Sequence, residues 1–343
     1  MNAHIKDSDK GHWVNRSPQS IRPYLQLSRL DRPVGYWLLA LPGWIGLAFA
    51  SLSHGFAASD VKWAVLILIG AITMRGAGCA YNDIVDQDLD AQVERTALRP
   101  LPAGTVTTKQ AWIWLFAQCT VGLIVLLCLP RLAQIISLCS IPLVAAYPFM
   151  KRITWWPQIW LGLTFNWAVL VAYAAKTEIV NLPLFILYAG LIFWTVGYDT
   201  IYACQDIEDD MKIGVKSTAR RFGKRVKLGV GFSYFILLIS IHVSLDKETL
   251  LVARKINDDG IYSSLSMFTI EGTLIVVPLW FLFIIQLIFF KQNNPKRALT
   301  IFKSSSWIGV AIIAIIIFYG HLFHQIPDYA GITVYQYLFE NLN

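Results

Sequence analysis

The sequence predicts an all-α, polytopic membrane protein of about nine transmembrane helices, and three observations carry that reading. Apolar segments recur at about 33–51, 61–82, 109–129, 132–150, 156–175, 181–204, 226–245, 272–290 and 301–320. Each is long enough to cross a hydrocarbon core of ~30 Å at ~1.5 Å per residue. Hydrophobic residues make up 56% of the 343-residue chain and charged residues 15%, with a mean hydropathy of +0.52, a balance foreign to soluble domains. Threading the loops through nine crossings places 22 of the 29 Lys and Arg on the side of the N-terminus and six on the other, with Arg75 inside a helix. Such an excess marks the cytoplasmic face. The net charge of +7 therefore reports topology, and a nucleic-acid partner is excluded.

Residues 1–32 are polar, carry Ser17-Pro18 and Arg22-Pro23, and close with Leu27-Ser-Arg-Leu-Asp-Arg32, which predicts a short amphipathic helix in a cytoplasmic N-terminal segment. Their basic residues alternate with Asp7 and Asp9 and no apolar core follows until after Pro33, a pattern of neither a cleaved signal nor a mitochondrial presequence. On that ground the expected location is a bacterial cell inner membrane, with the mitochondrial inner membrane as the alternative. The membrane domain runs over 33–320. Within it, 246–271 holds Asp246, Glu248, Asp258 and Asp259 and is too polar to span, so it is expected as a non-cytoplasmic loop; 321–343 forms a C-terminal tail on the same side. Cys79, Cys119, Cys128, Cys139 and Cys204 lie within or at the end of apolar runs without C-x-x-C spacing and read as packing residues.

Two acidic stretches interrupt this pattern, Asn82 to Asp90 and Asp199 to Asp210, each emerging from the end of an apolar segment on the cytoplasmic side. Nine of the 22 acidic residues fall in them, with carboxylates repeated at a spacing of four and so on one helical face. Carboxylates at a bilayer edge need a cation or a metal. Magnesium, which joins one or two carboxylates to substrate phosphates, suits the pattern. Its candidate ligands are Asn82, Asp86 and Asp90 from the first stretch and Asp206 and Asp210 from the second, with Asp83 as a further one. Asp88, Glu208 and Asp209 are expected in solvent.

Arg95, Arg99, Lys151, Arg152, Lys212 and Lys216 share the acidic face. Such cations grip the oxygens of a diphosphate or simply set orientation. A weak repeat, Val93-Glu-Arg-Thr-Ala-Leu-Arg99 against Val215-Lys-Ser-Thr-Ala-Arg-Arg221, sets Arg95 and Lys216 in corresponding places and would bring both acidic stretches to one cavity. Arg75 lies seven residues before Asn82, on the same helix face and ~10 Å deeper. An arginine there either binds the carboxylate of a small acidic substrate or pairs with Asp199. A transporter is the rival class, and it requires acids near the bilayer midplane instead of at helix ends.

The strings Asn82-Asp83-x-x-Asp86-x-x-x-Asp90, Arg95-Thr96-x-x-Arg99-Pro-Leu-Pro-x-Gly104 and Tyr202-x-x-x-Asp206-x-x-x-Asp210 resemble the UbiA superfamily of intramembrane prenyltransferases, over roughly residues 20 to 320. Arg32-Pro-Val-Gly35, Met74-Arg75-Gly-Ala-Gly-Cys79, the Tyr147 to Gln158 string, Phe165-Asn-Trp167 and Tyr198-Asp199-Thr-x-Tyr202 are similar to its 4-hydroxybenzoate polyprenyltransferase branch, which serves ubiquinone biosynthesis. The resemblance implies nine helices bundled around a central cavity with cytoplasmic cap loops and a lateral opening to lipid. It also implies magnesium-dependent transfer of a polyprenyl group from polyprenyl diphosphate to 4-hydroxybenzoate; the same chemistry on dihydroxynaphthoate, homogentisate, haem or a chlorophyllide is the alternative. Asp199 would orient the phenol or take its proton, Arg75 hold the benzoate, and Tyr202 hydrogen-bond the acceptor or the diphosphate. The long 246–271 loop and the extended tail depart from the family pattern.

Overall fold

The computed structural model describes residues 11–92, 96–256 and 270–325 and is helical throughout. Nine long helices are described: α1 Val34–His54, α2 Ser59–Val85, α3 Thr108–Leu127, α4 Arg131–Ile153, α5 Pro157–Thr177, α6 Leu182–Ala203, α7 Val226–Ile256, α8 Ile270–Phe289 and α9 Pro295–Gln325. Eight reach membrane-crossing length and hydropathy, and α8 contributes a shorter apolar stretch, Val276–Phe289.

The helix ends follow local chemistry. Thr107 and Gln110 form a reciprocal capping box at the start of α3, and the Asn181 side chain accepts from the backbone N–H of Leu184 at the start of α6. α1 stops at Gly55, whose φ of 64° lies in the left-handed region that glycine enters without strain. Two boundaries differ from expectation. α4 is broken at Ser140 into Arg131–Cys139 and Ile141–Ile153, because Pro142 offers no N–H and its ring crowds the preceding turn. α7 continues past 245 to Ile256: Glu248 is buried and accepts hydrogen bonds from the Tyr173 hydroxyl (2.9 Å) and Asn181 Nδ2 (2.7 Å), so its charge does not end the helix. The rest of the expected 246–271 loop, 257–269, and the tail from 326 lie outside the described residues.

α1, α5, α6 and α7 form the packed centre, with α2 against α1 and α3 and with α9 against α1 and α6. The core is aromatic, with Trp194, Tyr198, Tyr173 and Tyr234 fully buried, while large apolar side chains such as Phe116, Leu127, Phe281 and Ile288 face outward, as a lipid solvent requires. At the outer ends of α1, α2 and α5, the buried Lys176 ammonium donates to Asp60 Oδ2 (2.6 Å), Ser51 Oγ and the Gly55 carbonyl (both 2.7 Å).

Close approach of α1 to α5 depends on Gly46, where an added Cβ would lie 2.5 Å from the Val169 carbonyl oxygen. Gly46→Ala should lower stability by roughly 1–3 kcal/mol, as overpacking against backbone does, read as a lower Tm of the detergent-solubilised protein. Gly78→Ala, which meets open space, should not.

Candidate active site at the cap face

Both acidic stretches are built alike. α2 ends at Val85 and α6 at Ala203; each is followed by an acid in a non-helical conformation and then a short helix, Gln87–Asp90 after Asp86 and Ile207–Lys212 after Asp206. Asp86 has φ −100°, ψ 7° and Asp206 φ −113°, ψ 5°, a sparsely populated region often used at functional sites. In each, the backbone N–H of the acid four residues on, Asp90 or Asp210, donates to the first acid's carbonyl at 2.8 Å. The two acidic junctions thus share a backbone geometry, and Asn82 and Tyr202 occupy corresponding places in the last helical turn.

Acids at a helix C-terminus oppose the helix dipole, and cations compensate here. Buried Asp86 accepts from Lys151 (2.5 Å) and Arg152 (2.9 Å) at the end of α4. Arg99 Nη1 donates to Asp90 at 2.6 Å and lies 3.4 Å from Asp83, whose two oxygens are also held by Arg29 Nη2 at 2.6 and 2.8 Å. Burial pushes the Asp90 carboxyl above its ordinary pKa, the neighbouring Asp83 charge adds to this, and Arg99 opposes it.

The segment that follows the second stretch is tied to the end of α4. Lys216 N–H donates to the Lys151 carbonyl (2.9 Å) and Lys216 Nζ to the Ile153 carbonyl (3.0 Å), capping the end of α4. Arg220 donates to the carbonyls of Asp210 and Val215. A cleft of about 410 Å³ is lined by Val85, Asp88 and Leu89 of the first stretch and its helix end, by Arg152, and by Ile213, Gly214 and Val215 of the segment that follows the second stretch.

Beneath the acids, the Arg75 guanidinium lies 5.3 Å from the Phe165 ring centroid and against Gly35, where a Cβ would come within 3.0 Å of Nε. Its buried Nε has no hydrogen-bond partner among the described residues, and no salt bridge joins it to Asp199. Arg75, Gln158 and Asp206 nevertheless act electrostatically on Asp199, and Tyr147 lies within reach of Asp199, Arg75 and Asp86. Tyr202 packs on Phe302 with ring centroids 4.6 Å apart.

The cap face therefore gathers most of the expected residues, with two exceptions. Arg95 lies outside the described residues, and Lys212 points outward onto Asp209 (3.0 Å). Arg29, Gln158, Asn166 and Arg220 were not anticipated. Gln158 accepts from the Thr218 N–H at 3.0 Å; Asn166 is fully buried, donates to Thr195 Oγ1 at 2.8 Å, and leaves its Oδ1 without a donor. Among the described residues no three carboxylate, His or Cys groups converge as a preformed metal cage. The candidate donors, Asn82, Asp86 and Asp90 in the first stretch and Asp206 and Asp210 in the second, are hard oxygens, which fits a magnesium ion completed by phosphate oxygens.

Fold and site together define a multi-pass helical membrane protein that concentrates paired acids and cations at one face of the bundle. The chain belongs to the UbiA prenyltransferase family, whose family model matches residues 39–307. It is 46% identical over 231 residues to human 4-hydroxybenzoate polyprenyltransferase, mitochondrial, covering 65% of this chain and 60% of the relative. With the Arabidopsis thaliana protein of the same name it shares 46% over 218 residues, covering 63% and 53%; the match thus spans less than two thirds of either relative. Among solved structures, a UbiA homolog from Aeropyrum pernix K1 superposes with a TM-score of 0.63 at 22% identity, covering 82% of this chain and 98% of that one. A UbiA homolog from Archaeoglobus fulgidus bound to GPP and Mg2+ gives 0.57 at 20%, covering 86% and 99%.

Removing both cations from Asp86, Lys151→Met with Arg152→Met, strands a buried carboxylate. Losing the partner of a fully buried charge costs roughly 3–5 kcal/mol; Lys151 and Arg152 are themselves partly exposed, which reduces the expected loss to roughly 2 kcal/mol. The measurement is thermal unfolding in detergent, and adding Asp86→Asn should recover most of the loss.

Proposed function

We propose that this protein transfers a polyprenyl group from polyprenyl diphosphate to the ring carbon ortho to the hydroxyl of 4-hydroxybenzoate, with magnesium. The observation that carries this reading is the pair of like-built acid junctions, Asp86 and Asp206, at the ends of α2 and α6, the first of them held by two cations, together with Arg75, whose buried Nε has no hydrogen-bond partner among the described residues. The identity with relatives named for this activity supports the same acceptor.

Asn82, Asp86 and Asp90 on one side and Asp206 and Asp210 on the other would hold magnesium, which when bound stabilises the charge developing on the diphosphate. Arg99, Lys151 and Arg152 already stand at these carboxylates and turn toward phosphate oxygens as substrate arrives, and Arg95, Lys212 and Lys216 would add positive charge to the diphosphate grip. Below them Arg75, over the Phe165 ring and close against Gly35, receives the benzoate carboxylate and fixes the ring. The allylic carbon–oxygen bond breaks with its electron pair leaving on the diphosphate, the ortho carbon forms the new carbon–carbon bond, and the ring loses its proton. Asp199 is placed to orient the phenol or accept that proton, and Tyr202 to hydrogen-bond the acceptor or the diphosphate. Tyr147, Phe165 and Trp167 exclude water from the cation. The acids stand at helix ends, away from the midplane positions a transporter would use.

The chain sits in a bacterial inner membrane with its cap loops in the cytoplasm; the alternative, the mitochondrial inner membrane, draws support from relatives whose names include "mitochondrial".

Membranes containing the protein, supplied with magnesium, polyprenyl diphosphate and radiolabelled 4-hydroxybenzoate, should yield a prenylated acid. Label appearing only with another aromatic acceptor overturns the assignment. Asp86→Ala and Asp206→Ala should each lower kcat by about 10²-fold or more. Arg75→Ala should raise KM for the aromatic acid by about tenfold or more while changing that for the diphosphate by less than about twofold.

A further inference from the structure

The N-terminal segment ends its short helix, Arg22–Leu27, in a way its sequence does not favour. Leu30 N–H reaches back to the Leu25 carbonyl at 3.1 Å and Arg29 N–H to the Gln26 carbonyl at 3.0 Å, the paired bonds of a Schellman turn. The residue after the C-cap in such a turn takes a left-handed conformation and is usually glycine; here it is Arg29, at φ 56°. A side chain kept where glycine would serve the backbone better points to a task beyond the turn.

That side chain is buried, braced by Nη1 on the Gln26 carbonyl (3.2 Å), with Nη2 straddling both oxygens of fully buried Asp83. Asp83 Oδ1 is also the atom 3.4 Å from Arg99 Nη1, which makes its short bond to Asp90 instead. Two arginines and two aspartates form one neutral chain, Arg29–Asp83–Arg99–Asp90. Its far nitrogens at Arg99 make no hydrogen bond among the described residues.

We propose that Arg29 is a positioning residue for the diphosphate site. By neutralising Asp83 it keeps Arg99 from collapsing onto that carboxylate and leaves the Arg99 fork aimed across Asp90 for phosphate oxygens. Asp83 then acts as the anchor of this chain and not as a metal ligand. The inference rests on the function proposed above.

The test uses Arg29→Gly, because glycine suits the turn better than arginine and the segment stays folded while the charge is lost. Titrating the purified full-length protein with geranyl diphosphate and magnesium should give about a tenfold weaker Kd for Arg29→Gly. The KM for 4-hydroxybenzoate should stay within about twofold. Adding Asp83→Asn removes the charge that captures Arg99 and should restore most of the affinity. Wild-type affinity in Arg29→Gly, equal losses for both substrates, or a double variant no better than the single one overturns the proposal. A wild-type protein that binds geranyl diphosphate but does not prenylate 4-hydroxybenzoate overturns the acceptor assignment alone, since the binding comparison still decides the role of Arg29.

Discussion

Carboxylates placed where a helix dipole is negative and water is scarce must be neutralised, and the cap face of this protein is organised by that requirement. α2 and α6 both deliver acids at their C-termini, the end that disfavours them. The first helix recruits Lys151 and Arg152 from the end of α4, Arg99 from the loop before α3, and Arg29 from the N-terminal segment. The acids thus bear on where three separate pieces of chain come to rest. Removing the acids would relieve the repulsion and dissolve the reason for the cap.

The same balance accounts for how a highly charged ligand can be taken up at a bilayer edge. Asp83, Asp86 and Asp90 are each paired with a cation of the chain, so these buried carboxylates are not stranded. Under the function proposed above, an incoming magnesium–diphosphate unit would present the same two signs in mirror order, positive toward carboxylate and negative toward guanidinium. Binding would then exchange ion pairs instead of creating them, which keeps desolvation small relative to the interaction gained.

Most of the fold was legible because its signals are long and periodic: nine apolar runs and a one-sided distribution of Lys and Arg. What escaped was short-range. The break in α4 follows from Pro142, a residue tolerated at a helix start and so ambiguous in an apolar run. The extension of α7 past 245 depends on Tyr173 and Asn181 meeting Glu248 from other helices, which no local pattern encodes. At the site, the acids, Arg75, Arg99, Lys151 and Arg152 could be nominated from spacing and side. Arg29 could not, since its meaning lies in a left-handed φ and in a partner 54 residues away. Asp83 looked like its neighbours in sequence, and differs from Asp86 in lying within α2 and in which cations reach it.

The clasp of Lys176 on Asp60, Ser51 and Gly55 bears on motion. Prising α1, α2 and α5 apart at that end would leave an ammonium and a carboxylate unpaired in a poorly hydrated setting, a penalty of several kcal/mol. Glu248, tied to Tyr173 and Asn181, restrains α5, α6 and α7 at their outer ends in the same way. The two clasps act as a hoop at one rim of the bundle, so that splaying α1, α2, α5, α6 and α7 at the end away from the acids requires breaking buried polar contacts on several helices at once.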